Sequence, residues 1–266
     1  MGAEKGLEWT FDTAASVYDK MRPGYAGELY QAVFAYSPVR ESSRVVEVGI
    51  GSGQATRPFL QTGCRLTAVE YGKHFSALCR EKFRDFPNFS VITGRFENTA
   101  FAEGAYDLVY SASAFHWVPE EIGYPKVYAM LKSGGAFARF ANHPFRGYDN
   151  PALAQEIDAL YAAYYYPSYP DKKPEMVREY TAQQARARAM TAEAYGFRDI
   201  RYALFYRIRR FSAEEYVQLL GTYSDHIALE ETVKTAFFAG IERAINRHGG
   251  EITLRDTMDL QLARKP

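Results

Sequence analysis

Cysteine is nearly missing from this chain of 266 residues, with only Cys64 and Cys79 present. They form no CxxC pair, and no histidine stands at metal-ligand spacing from them. A zinc site or a disulfide framework is therefore excluded as the organising device; no metal is expected, and a reducing, cytoplasmic setting is. No apolar run approaches about 18 residues, so no membrane-spanning helix is expected. The opening MGAEKGLEWTFDTAASVYDK has no apolar core of the kind a secretory leader needs. Net charge is absent as well, Lys plus Arg and Asp plus Glu numbering 32 each. No overall field draws in nucleic acid or an anionic membrane, and neither is an expected partner. Internal repeats and low-complexity linkers are missing too. What is left is a globular chain, long enough for one large domain with an addition. The oligomeric state stays open.

The apolar residues that are present fall into short runs. RVVEVG (44–49), RLTAVE (65–70), FSVITG (89–94), YDLVYS (106–111) and GAFARFA (135–141) read as strands, being β-branched or aromatic and bounded by Gly, Pro or Asn. Segments 54–61, 74–84 and 119–131 read as helices between them. Such alternation predicts an α/β, Rossmann-like, doubly wound and mostly parallel sheet. Two leading helices are predicted near 12–20 and 26–36, separated by MRPGY. Beyond residue 141 the rhythm changes. Segment 151–165 reads as a helix broken by YYYPSYP, and 175–195 as a longer charged helix. YALFYRIRRF (202–211) and EITLRDTMDLQLAR (251–264) complete seven strands, with helices near 212–222 and 229–247 between them. The expected organisation is lid helices and core over 1–142, a helical cap or insertion over 143–200, and the last strands with inserted helices over 201–266.

Three glycines in VVEVGIGSG (45–53) follow the first strand. Glycine there is costly unless a ligand must approach the backbone closely. Gly49 suits the tight turn, while Gly51 and Gly53 let N–H groups reach a ligand at the carboxyl edge of the sheet. Glu70 ends the second strand, where a carboxylate can accept from both hydroxyls of a ribose. A dinucleotide fingerprint would carry a third small residue where Gln54 stands. Glu47 would sit badly against pyrophosphate but well against an amine. The charges therefore favour a ligand with a nucleoside at one end and an ammonium at the other, which S-adenosylmethionine has. An NAD(P)-dependent oxidoreductase and a non-catalytic S-adenosylmethionine-binding protein stand as alternatives.

EVGIGSG (47–53), VEYG (69–72), YDLVYSASAFHW (106–117) and LKSGGAF (131–137) together resemble class I S-adenosylmethionine-dependent methyltransferases. The resemblance is to the small-molecule group that includes trans-aconitate methyltransferase, and ASVYDKMRPGY (15–25) is similar to that group's leading helices. It implies that Glu47 reaches the methionine amine, Gly49, Gly51 and Gly53 line the cofactor, Glu70 holds the ribose and Tyr71 lies on the adenine. Arg95 stands where many members carry an Asp for the adenine amino group, so Phe96 and Glu97 become the adenine contacts. Ser111 and Ala112, followed by Ser113, end the fourth strand beside the acceptor. Tyr18, Arg22 and Tyr25 look like a lid, with Arg22 pairing the methionine carboxylate. No Asn/Asp-Pro-Pro-aromatic motif follows the fourth strand, which argues against methylation of nucleic acid bases.

Methyl transfer from a sulfonium needs positioning and exclusion of water more than covalent help. His116 is the candidate base for an oxygen acceptor, with His143 and His226 behind it; an ionised carboxylate would need none. Arg207, Arg209 and Arg210 lie on one predicted strand, where alternation separates Arg210 from the other two. They are expected on a solvated face, and a single inward Arg would favour an anionic acceptor. Tyr164 to Tyr166 are expected in the core or lid.

Overall fold

A computed structural model of the protein describes residues 24–172 and 178–266. The predicted helix over 12–20, together with Tyr18 and Arg22, lies outside them. The centre is a seven-stranded sheet in the order β3-β2-β1-β4-β5-β7-β6. Its strands are β1 (Arg44–Val48), β2 (Arg65–Glu70), β3 (Phe89–Thr93), β4 (Tyr106–Ala112), β5 (Leu131–Phe145), β6 (Arg198–Ser212) and β7 (Glu251–Arg264). Strands β1 to β5 pair in parallel, and β7 runs antiparallel to both β5 and β6. The seven strands and the mostly parallel sheet agree with the sequence; the reversal of β7 was not anticipated from it.

Alternation along β1 shows why both faces are covered. Val45 joins a core with Leu29, Phe59, Leu66 and Tyr110, while Val46 joins another with Val109, Tyr124, Phe137 and Phe197. Helices α1 (Gly27–Tyr36), α2 (Arg57–Leu60) and α3 (Lys73–Lys82) supply Leu29, Phe59 and Cys79 to the first core; α4 (Glu120–Met130) supplies Tyr124 and Val127 to the second. Only four residues of the predicted 54–61 helix are helical. The preceding stretch is taken up by turns in which Gly49, Gly51 and Gly53 all have positive φ, a conformation that stops a helix from starting earlier.

Strand β5 is longer than its predicted 135–141 because Ala136 to Phe145 pair continuously with β7. Between β5 and β6 lie α5 (Pro151–Leu160), a wider turn over Tyr161–Tyr165 and α6 (Ala182–Met190). Between β6 and β7 lie α7 (Ala213–Leu220), the short α8 (Ser224–Ile227) and α9 (Glu231–Arg247). Helices α5, α7 and α9 share a third core, built on Leu153, Ile157, Tyr216, Phe237 and Ile241. This cap stands over the carboxyl ends of the parallel strands, where such sheets bind ligands. Among the described residues no helix is long and apolar enough to cross a membrane.

Candidate active site

A cleft of about 510 Å³ opens where the strand ends meet the cap, a size within the range of small-molecule sites. Its sheet wall carries Gly49, Gly51, Glu70 and Tyr71, and the loops after β3 and β4 add Phe96, Glu97, Ala112 and His116. All eight are residues expected there from the sequence. A Cβ at Gly51 (φ +56°) would meet nothing nearer than Gln54 Oε1 at 3.9 Å, so the loop leaves open space on the ligand side. Glu70 reaches back to that loop. Its Oε2 accepts from Gly51 N and its Oε1 from Gly72 N, both at 2.8 Å. The carboxylate thus fastens the turn and faces the cleft at once.

Arg95 also lines the cleft, its guanidinium 4.4 Å from the centre of the Tyr71 ring. The Phe96–Glu97 turn is tied down by Lys126, whose Nζ donates to the carbonyls of Phe96 (2.6 Å), Glu97 (2.9 Å) and Thr99 (2.6 Å). At the tip of β4, Ser113 is held at φ +55°, a strained backbone for a residue with a Cβ. Its hydroxyl bonds Tyr25 OH at 2.7 Å and accepts from Asn142 N at 3.3 Å.

Three expected cofactor contacts do not line the cleft. Glu47 is wholly buried and is absent from the cleft wall. Alternation points it away from Val46 and Val48, into the first core, where its Oε2 accepts from Thr56 Oγ1 and Tyr110 OH at 2.8 Å each. Its Oε1 has no hydrogen-bond partner among the described residues, and burial pushes its pKa up to about 8. Gly53 serves packing instead, because a Cβ there would lie 2.5 Å from the Phe83 ring. Ser111 is fully buried, its Oγ donating to Val48 O at 2.7 Å, and so joins β4 to β1.

His116 stands at the rim with its side chain reaching solvent. The crowding of the cleft, and then the charges of Arg188 and Arg139, push its pKa down to about 4. The imidazole is therefore neutral near pH 7 but a weak proton acceptor. The secondary histidines are committed elsewhere. His143 Nε2 bonds the buried Asp259 at 2.9 Å and stacks on Tyr180, while the buried His226 sits between Asp225 (2.7 Å) and Tyr161 (2.9 Å).

The cleft also holds residues the motifs did not reveal: Asn142 of β5, Arg209 of β6, and Leu219, Tyr223 and Asp225 from the cap side. Arg207 and Arg209 are not on a solvated face, as expected from their strand; both converge on Asp256, which is fully buried. Arg210 alone of the three is exposed. A signal was present in DTMDLQL, since acidic residues within an apolar strand require cationic partners once buried.

Residues 46–138 match the family model described as a methyltransferase domain. An uncharacterized methyltransferase of Schizosaccharomyces pombe is 23% identical over 239 residues, covering 85% of this chain and 88% of that protein. The malonyl-[acyl-carrier protein] O-methyltransferase of Pectobacterium atrosepticum is 26% identical over 148 residues, covering 52% of this chain and 54% of that one. Several further methyltransferase relatives are likewise spanned over only 36% to 54% of their length. In fold, the chain is similar to phosphoethanolamine N-methyltransferase 2 of Haemonchus contortus in complex with S-adenosylhomocysteine. That likeness has a TM-score of 0.55 at 13% identity and covers 96% of this chain and 57% of the other. Residues 46–138 are thus similar to a methyltransferase domain, and structures that share the fold include one in complex with S-adenosylhomocysteine and one in complex with S-adenosyl-L-methionine. The site fits that group: an open glycine turn, a carboxylate at the end of β2 and an aromatic ring beyond it.

Proposed function

We propose that the protein transfers a methyl group from S-adenosylmethionine to an oxygen of a small molecule, and that it belongs to the small-molecule group its motifs resemble. The observation that carries this reading is the turn at Gly51 fastened to Glu70 on one wall of a cleft whose other wall is the cap. Glu70 and Tyr71 would hold the nucleoside end, with Phe96 and Glu97 along the base. Gly49 and Gly51 would bring the backbone against the aminoacyl end. The reacting methyl would emerge near Ala112 and Ser113, facing His116 and the cap. The bound cofactor supplies the electrophile; the chain supplies position and a dry cleft. The modest volume favours a small acceptor over a polymer, and the O-methyltransferase among the relatives agrees with oxygen.

S-adenosylhomocysteine at 100 times its dissociation constant should stabilise the fold by roughly 2.7 kcal/mol, read as a rise in melting temperature, with NAD inert. Glu70→Ala should weaken S-adenosylhomocysteine by about 1–3 kcal/mol. Stabilisation by NAD alone would overturn the assignment.

A further inference from the structure

We propose that Arg209 selects the acceptor by its carboxylate, and that the acceptor is a monocarboxylic acid with an apolar body; this rests on the methyltransferase reading above. Arg209 is braced three ways. Its Nε donates to Asp256 Oδ2 at 2.5 Å, its Nη2 to Asp256 Oδ1 at 2.8 Å, and its guanidinium lies 4.9 Å from the centre of the Phe211 ring. Nη1 donates no hydrogen bond among the described residues, and the side chain lines the cleft.

Arg207 completes the arrangement. It gives Nε and Nη2 to the same Oδ2 of Asp256 and Nη1 to Gly24 O at 2.9 Å. Two guanidinium groups therefore share one buried carboxylate, and one positive charge is left over. Arg207 has spent its fork on the protein, so the surplus is offered to the cleft through Arg209 alone. A pre-braced guanidinium with free N–H groups is a carboxylate receptor.

One such edge accommodates one carboxylate. The rest of the cap wall argues against a second, because Leu219 and Tyr223 are apolar or aromatic and Asp225 is acidic. Asp225 is held below the ordinary carboxylate range: burial alone would raise it, but His226, Tyr165 and Lys172 together outweigh that. It remains an anion that repels another.

The chemistry closes without a base. One carboxylate oxygen forms the new C–O bond as the methyl C–S bond breaks, the electron pair passes to sulfur, and a neutral ester leaves with no proton to remove. The sulfonium and carboxylate charges cancel in that step. This agrees with His116, whose weak basicity suits a wall better than a proton acceptor.

Isothermal titration into protein loaded with S-adenosylhomocysteine tests this, using octanoate, phenylacetate, their neutral amides and octanedioate. At least one monocarboxylate should bind, with its amide tenfold weaker or worse, and octanedioate should bind more weakly than octanoate. Arg209→Met should lower the monocarboxylate's affinity at least tenfold and leave that of S-adenosylhomocysteine within twofold. Arg209→Lys, a charge without the fork, should fall between. The Met variant should fold because Arg207 still pairs Asp256, and retained S-adenosylhomocysteine binding checks it. Equal loss of S-adenosylhomocysteine binding would give Arg209 to the cofactor and overturn the proposal. So would amides or the diacid binding as tightly as the monoacid, or no acid binding at all. If the unmodified protein does not bind S-adenosylhomocysteine, the methyltransferase reading itself fails.

Discussion

At the scale of single residues, Glu47 is a buried carboxyl among apolar neighbours. It stands wholly inside the sheet with one oxygen unbonded among the described residues, and its pKa is raised to about 8. A folded-state value above the unfolded one means that protonation favours the fold. The resulting stability is full below about pH 4.5 and is lost as pH rises through about 8. Glu47→Gln should remove that dependence, melting above the parent near pH 9 with the advantage shrinking toward pH 5. A pH series of thermal melts in which parent and variant decline in parallel would refute this. His116 gives a second residue-level outcome. Loss of a true general base costs about 10²–10⁴ in rate, whereas His116→Ala should cost less than about tenfold and leave the pH–rate profile between 6 and 8 unchanged. A larger loss with a changed profile would restore the base.

At the scale of elements, the cap is latched by the short helix α8. Asp225 accepts from Tyr165 OH at 2.5 Å, from His226 Nδ1 at 2.7 Å and from Lys172 Nζ at 3.3 Å, and its backbone carbonyl accepts from Tyr169 OH. Asp225→Asn should lower stability by roughly 1–3 kcal/mol through weakened charge-assisted bonds. Because the folded pKa is depressed, the loss should be evident at pH 7 and shrink progressively as pH falls below the ordinary carboxylate range toward the depressed folded value. A melting temperature unchanged at pH 7 would remove the latch. None of this was legible in the sequence, because it joins residues some 55 apart whose pairing depends on how helices dock. The strands, by contrast, were legible from local pattern: five β-branched or aromatic runs between breakers gave β1 to β4 and the middle of β5. Glycine spacing and Glu70 likewise marked one cleft wall. Glu47 and Ser111 were misplaced because a motif fixes position along a strand, while alternation decides which face receives the side chain. Arg209 was misread because its neutralising partner, Asp256, is set by β6–β7 register, information that no single segment holds.

At the scale of the whole molecule, the family match and several residues of the cleft fall in different parts of the chain. The methyltransferase-domain match ends at residue 138, before Asn142, Arg209, Leu219, Tyr223 and Asp225. On the proposed reading function is divided, the domain holding the donor and the residues beyond it choosing what receives it. Glu70 shows what the donor side gains from its construction. Because the carboxylate already grips Gly51 and Gly72 from one point, the turn proposed to receive the nucleoside is shaped before any visitor arrives. Its entropic cost was met during folding, so encounter need not wait for a loop to settle. Occupancy should follow concentration directly, with a single rapid association phase.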